Sequence, residues 1–192
     1  MPLLPLPSGL VGRPGLERIA PAKDVDGFHP ENLGRLLLGL PCLAPCTPAG
    51  VMELLKRYQL SPKGKKAVVI GRCIIVGKPL SIMLSAKGDY ADATVTLCHS
   101  RTPDLPSFTR SADFLFVAMG NPGFLRGDMV KQGAVVIDVG ISVTEKGLQG
   151  DCDFDSVSKV ASALTPVPGG VGPMTIAMLL KNTLQAFVSH IG

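Results

Sequence analysis

The chain has 192 residues, 46% of them hydrophobic and 18% charged, with a formal net charge of +4. That balance excludes a disordered chain and fits one sizeable core with at most a small satellite. No Lys/Arg run occurs and aromatic residues make up only 5%, which excludes nucleic acid as the expected partner, whereas a few positive charges suit a phosphorylated or carboxylated ligand.

The opening "MPLLPLPSGLVG" is apolar but broken by prolines and has no basic segment before it, so it does not read as a signal peptide. No run of about 18 apolar residues predicts a membrane span. The five cysteines (Cys42, Cys46, Cys73, Cys98, Cys152) make no CxxC pair and no metal-type cluster. They read as reduced, buried thiols of an intracellular protein, with no metal site.

Residues 1–49 are proline-rich, show no long periodic segment, and contain two compact polar knots, "AKDVDGFHPEN" and "PCTPAG". The second predicts a helix start, with Thr47 as cap and Pro48 in the first helical position before "AGVMELLKRY". "SPKGKK" then leads into a first strand. From Lys65 onward, "KAVVIG" (66–71), "ATVTLC" (93–98), "FLFVAM" (114–119) and "AVVIDVG" (134–140) are short, β-branched and almost wholly apolar. Strands buried on both faces of a parallel sheet read this way. Helix-like pieces separate them: "GKPLSIMLSAKG", "DLPSFTRSA", a turn around "LRGDMVKQG", and "DFDSVSKVA". The alternation predicts an α/β fold with an open, doubly wound parallel sheet of Rossmann type. A last amphipathic helix is predicted over 174–187. The division expected is a remnant of a second lobe over 1–49, the nucleotide domain with its leading helix over 50–173, and the C-terminal helix over 174–192.

The first βα turn, "VVIGRCIIVGKPLS", puts Gly71 at the end of a strand and Gly77 at a helix entrance, where doubly wound folds seat a phosphate. Only the first and last glycines of G-x-G-x-x-G are there. At the end of the second strand, where NAD-binding sheets carry an acid for the ribose, stand His99, Ser100, Arg101 and Thr102, with no acid before Asp104. An acid repels a 2′-phosphate and arginine attracts one, so Arg72, Ser100 and Arg101 predict NADP in preference to NAD. The alternative for Arg101 is a solvated loop residue. At the fourth strand, Gly140 and Ile141 are placed beside the nicotinamide half, and Asp138 must be paired or hydrogen-bonded. "TPVPGGVGPMT" (165–175) packs three prolines and three glycines into eleven positions. Such a loop is either a stop-and-turn or the wall of a ligand cleft.

Taken in order, "KDVDGFHP", "PCTPAGVMELL", "GKKAVVIGR", "ATVTLCHSRT", "GDMVKQGAVVIDVGI", "GDCDF" and "TPVPGGVGPMTIAMLLKNT" resemble the bifunctional methylenetetrahydrofolate dehydrogenase/methenyltetrahydrofolate cyclohydrolase family over essentially the whole chain. The resemblance implies NADP- or NAD-dependent oxidation of methylenetetrahydrofolate, hydrolysis of the methenyl product, a folate cleft between two lobes, and a homodimer. It assigns cofactor contacts to Gly71, Arg72, Cys73, Ser100 and Ile141. Asp26 becomes the carboxylate that pairs with the pterin, and the loop with Pro168, Gly169 and Gly170 a cleft wall. For Asp24 and Asp26 the plain alternative is an ordinary turn before Gly27.

The family's catalytic lysine, four residues after a tyrosine, has no counterpart: Tyr58 and Tyr90 are followed at that distance by Pro62 and Thr94. Lys56, four residues after Met52, lies in the linking helix and is no substitute. The assisting glutamine aligns with Leu3, the usual serine after Arg72 is Cys73, and the usual asparagine after Ile141 is Ser142. Most of the folate lobe is absent from the chain, so no catalytic residue is assigned and little or no turnover is expected of it alone. The last helix is expected to be mobile or mispacked. The competing reading is a non-catalytic NADP-binding or dimerising subunit; a shikimate-type dehydrogenase is disfavoured by "DVDGF" and "PGGVGPMT". The setting expected is cytoplasmic, with a mitochondrial one as the alternative.

Overall fold

The computed structural model describes residues 16–145 and 147–191; Leu3 and the opening "LLPLP" lie outside them. Its centre is a five-stranded, wholly parallel sheet: β1 (Lys66–Ile70), β2 (Thr94–Cys98), β3 (Phe114–Val117), β4 (Val135–Asp138) and, across the hairpin β5–β6 (Ser142–Thr144, Gly147–Gln149), the short β7 (Ala163–Leu164). The order is β2-β1-β3-β4-β7. The four long strands fall where the apolar runs predict them. The hairpin and β7 were not foreseen: three- and two-residue strands are too short for a period to show.

Both faces of the sheet are covered. Ala67, Val69, Phe114, Phe116 and Ile137 pack toward α2 (Cys46–Arg57), α3 (Gly77–Ser85) and Val171 of α6 (Val171–Ile191). Val68, Ile70, Leu115, Val117 and Val136 point the other way, onto Leu105 and Ala112 of the α4 (Leu105–Ser111) segment and Val157 of α5 (Phe154–Val157). The Phe114 and Phe116 rings stack at 6.5 Å, and truncating the fully buried Phe116 to alanine should cost about 3–5 kcal/mol.

The N-terminal knot holds an unexpected helix, α1 (Pro30–Leu37). His29 caps it by accepting the Glu31 N–H at 3.1 Å, Pro30 sits at its first position, and Glu31 lies in its first turn. Its apolar residues Leu33, Leu36 and Leu37 recur at helical spacing behind Pro30 and Glu31, but over only eight residues and inside a proline-rich stretch. Two helix starts also move. Helix α2 begins at Cys46, with Pro45 at the cap and no side-chain capping bond. Thr47 therefore does not cap; its hydroxyl meets that of Thr175 at 3.0 Å, tying α2 to α6. Helix α6 begins at Val171, three residues before the expected Met174, because Pro173 is tolerated in a first turn whose N–H groups need no helical partner.

Helix α6 is seated rather than mispacked. Its inner face lies along α2, and buried Asn182 donates to the carbonyls of Val25 (2.9 Å) and Ala44 (2.8 Å). Its outer face exposes Ile176, Leu180, Leu184, Phe187 and Val188. The expectation of uniformly buried thiols also needs correction: Cys46, Cys98 and Cys152 are buried, Cys42 is half-buried and Cys73 is exposed. All five are free. Among the described residues no helix is long and apolar enough to cross a membrane.

Candidate functional site

In open α/β sheets a ligand lies outside the carboxyl ends of the strands, at the point where the chain reverses its direction of travel across the sheet. Here that point is β1/β3, since β2 lies on one side of β1 and all later strands of the sheet lie on the other. Gly71 leaves β1 at φ +117° with its Cα pressed on the Ala118 carbonyl, so a Cβ there would overlap that oxygen. Gly77 starts α3 with its Cα against the Gly71 carbonyl, leaving no room for a Cβ either. These two glycines fold the turn onto the sheet, and between them Arg72, Cys73 and Ile74 are exposed.

The end of β2 stands beside this turn, joined to it by the Gly71 N–H donating to the Cys98 carbonyl at 2.9 Å. A tight local turn follows. Thr102 Oγ1 accepts the His99 N–H at 2.9 Å, and His99 Nδ1 accepts the Arg101 N–H at 3.1 Å. With His99 and Thr102 occupied in this way, Ser100 and Arg101 are turned to solvent. Neither Arg72 nor Arg101 pairs with a carboxylate among the described residues. Two free guanidinium groups and a hydroxyl at neighbouring strand ends, with no acid, form a donor set that fits a phosphorylated ribose.

A second region opens next to it. A cleft of about 590 Å³ is lined by Thr47, Val76, Asp138, Val139, Ile141, Leu148, the run 166–173, Thr175 and Ile176. Pro168, Gly169, Gly170 and Ile141 thus share one cleft. The loop is anchored at its root, where Thr165 Oγ1 accepts the Asp138 N–H at 2.8 Å. Gly169 sits at φ +100°, and a Cβ on Gly170 would overlap the Pro166 carbonyl. The walls are mostly apolar, a surface suited to a hydrophobic ring system.

Asp26 does not line this cleft. It lies half-buried beside Cys46, at the start of α2 and next to the cleft residue Thr47. The two acids of "DVDG" have different surroundings. Asp24 Oδ2 accepts the His29 N–H at 2.7 Å and Asn32 Nδ2 at 3.0 Å, holding the knot against α1. Asp26 Oδ2 is buried with no hydrogen-bond partner, as is Asp24 Oδ1. Burial, and then the charge of Asp24, raise the pKa of Asp26 above its ordinary value. Burial chiefly, helped by the Asp26 charge, pushes the Cys46 thiol up to about 11. An ordinary turn thus accounts for Asp24. Asp26 Oδ2, by contrast, is an acceptor with no donor among the described residues.

Asp138 has the hydrogen bonds its burial requires. Its carboxylate accepts the N–H groups of Gly140 (3.1 Å), Asp151 (3.0 Å) and Cys152 (2.8 Å). Sequence reasoning missed Asp151 itself, which accepts three backbone N–H groups from the loop after β3. It also missed Val76 and Leu148 in the cleft. The "GDCDF" string carried that signal only through a family likeness.

Residues 45–191 match the family described as tetrahydrofolate dehydrogenase/cyclohydrolase, NAD(P)-binding domain. The chain is 67% identical over 189 residues to the "Bifunctional protein FolD" of Nitratidesulfovibrio vulgaris (strain DP4), covering 98% of this chain and 66% of that one. Among solved structures it is similar to the bifunctional FolD methylenetetrahydrofolate dehydrogenase/cyclohydrolase of Campylobacter jejuni (TM-score 0.92, 52% identity, 97% of this chain and 66% of that one). It is also similar to the Trypanosoma brucei enzyme complexed with NADP cofactor and inhibitor (TM-score 0.90, 42% identity, 98% and 66%). The chain therefore spans just under two thirds of the length of the relatives it matches.

Proposed function

Because the chain belongs to the tetrahydrofolate dehydrogenase/cyclohydrolase family, we propose that it binds NADP and supplies the cofactor half of methylenetetrahydrofolate dehydrogenase and methenyltetrahydrofolate cyclohydrolase. The observation that carries this is the pair of free arginines, Arg72 and Arg101, flanking Ser100 at the ends of β1 and β2 with no acid between them. That donor set favours a 2′-phosphate over a bare ribose, hence NADP over NAD.

In this reading NADP, when bound, supplies the acceptor for the hydride leaving the methylene carbon. The chain's own residues bind and orient. Arg72, Cys73, Ser100 and Arg101 hold the phosphorylated end, with Gly71 and Gly77 admitting the pyrophosphate to the start of α3. Ile141 borders the nicotinamide half of the dinucleotide, and the Pro168–Gly170 loop forms a wall against which a planar pterin stacks. Asp26 accepts the pterin's two parallel N–H donors, one on each carboxylate oxygen.

The chain carries no tyrosine–lysine pair at the four-residue spacing, and losing a positioned acid–base group lowers rate by roughly 10²–10⁴-fold. Little turnover by this chain alone is the consequence. A homodimer and a cytoplasmic setting complete the reading, the latter in keeping with five free thiols.

The test is a calorimetric titration with NADP and NAD, run beside an assay of methylenetetrahydrofolate oxidation. NADP binding tighter than NAD binding, with little turnover, is the expected result. Failure to bind either dinucleotide overturns the reading. Turnover at the level of a full-length relative overturns the part concerning the lysine.

A further inference from the structure

Backbone N–H groups at the carboxyl ends of sheet strands usually remain free for water or a ligand. After β3 they do not. Asp151 is fully buried, and its carboxylate accepts three consecutive donors: Met119 N–H at 2.6 Å and Gly120 N–H at 3.0 Å on Oδ2, and Asn121 N–H at 2.7 Å on Oδ1. Gly120 adopts φ +67°, bringing the donors to a common centre, an anion-binding concavity filled by the chain's own anion. Asp151 is held in turn by Asp138, which accepts its N–H together with those of Gly140 and Cys152.

Two buried carboxylates thus act in series, each on three backbone donors, and neither pairs with a cation among the described residues. Two glycines make room for them. A Cβ on Gly140 would overlap the Asp151 carboxylate, and one on Gly150 the Asp138 carboxylate. The relay joins two separate walls: the Asp138–Ile141 segment, which lines the cleft, and the 118–121 loop, whose Ala118 carbonyl lies against Gly71 at the switch point.

We propose that Asp151 is a positioning residue for the nicotinamide end of the dinucleotide, setting with Asp138 the spacing between the 118–121 loop and the Gly140–Ile141 wall. This rests on the dinucleotide reading above. A dinucleotide crossing an open sheet keeps its adenosine at β2 and its nicotinamide toward β4. Arg72, Ser100 and Arg101 serve the first end and make no hydrogen bond to the relay. Disturbing the relay should therefore loosen one end of the cofactor and spare the other, a split that a general loss of structure does not produce.

The variant is Asp151→Asn, which keeps the shape but turns an NH₂ donor toward backbone N–H groups. Wild type and variant are titrated calorimetrically with NADP and with adenosine 2′,5′-bisphosphate, the adenosine end alone. The expected result is an NADP affinity lower by about tenfold with bisphosphate affinity unchanged. Equal weakening of both ligands, or of neither, overturns the proposal. A wild type that binds neither ligand overturns the dinucleotide reading and the proposal with it. Should D151N not fold, hydrogen exchange on the wild type decides. Nicotinamide mononucleotide should slow the amides of 119–121, 140, 151 and 152 together while the bisphosphate leaves them unchanged. The same response to both ligands overturns the proposal.

Discussion

Asn182 reaches back to Val25 across 157 positions of sequence, and its one Nδ2 group bonds the Val25 carbonyl at 2.9 Å and the Ala44 carbonyl at 2.8 Å. Cys46 Sγ adds a second donor to Val25. A single amide thereby fastens α6 to the N-terminal knot. Asn182→Ala removes both bonds, leaving the Ala44 carbonyl without this donor and the Val25 carbonyl with the Cys46 thiol alone, which should cost about 1–3 kcal/mol. A thermal melt measures the loss, and hydrogen exchange should show α6 loosening while β1, β3 and β4 keep their protection. An unchanged melting temperature would mean that the amide is not what holds the helix.

Arg101 and Arg72 are exposed, so their guanidinium groups act on a ligand and not on the fold. Arg101→Ala should weaken NADP binding by about tenfold, the worth of one charge-assisted hydrogen bond to a phosphate, and leave NAD binding and the melting temperature unchanged. Arg101→Glu should weaken NADP further and narrow the gap between the two dinucleotides. Calorimetry at two salt concentrations checks the cause, since an exposed charge contact fades as salt rises. Equal losses for NADP and NAD would place Arg101 away from the 2′-phosphate.

Much of the sheet was legible because continuous β-branched runs have few alternative readings. The Gly71/Gly77 pair and the acid-free end of β2 could be read from residue type alone, since steric room and charge sign belong to the residue. The hairpin and β7 could not, since three and two residues give too little periodicity to separate helix from strand, whereas the helical spacing of Leu33, Leu36 and Leu37 in α1 is set among prolines that read as loop. Asp24 and Asp26 show a different limit. Only the fold reveals that Asp24 spends one oxygen on His29 and Asn32, while Asp24 Oδ1 and Asp26 Oδ2 stay buried without a partner among the described residues. Asp151 was equally hidden, because the three N–H groups it binds lie about thirty positions upstream.

Asp26 sets stability against binding. Its pKa in the folded chain is raised above the ordinary 3.8, by burial first and the Asp24 charge second. The folded form therefore holds a proton that the unfolded form has released, and stability falls as pH rises from 3.8 through the folded value. Asp26→Asn removes that penalty: the variant should melt slightly higher than wild type at pH 7, and the difference should shrink as pH falls toward 3.8. The same change should weaken pterin binding, because the amide offers one acceptor where the carboxylate offers two. Melting curves across pH and a folate titration test the two halves separately. A variant less stable than wild type at pH 7 would show that the Asp26 charge supports the fold.

The outer face of α6 carries Ile176, Leu180, Leu184, Phe187 and Val188, each between 56% and 67% exposed. Their spacing of four, four, three and one places them on one side of the helix, opposite Asn182 and the α2 contact. A contiguous apolar stripe of this kind attracts apolar dyes and promotes association in water. Leu180→Lys with Leu184→Lys should break the stripe without touching the core. The double variant should bind less 1-anilinonaphthalene-8-sulfonate and scatter less light at high concentration. Its stability should stay within about 0.5 kcal/mol of wild type, as for other surface changes. NADP affinity should not move, because Leu180 and Leu184, unlike Ile176, do not line the cleft. Dye binding equal to wild type would mean that the stripe is covered in solution.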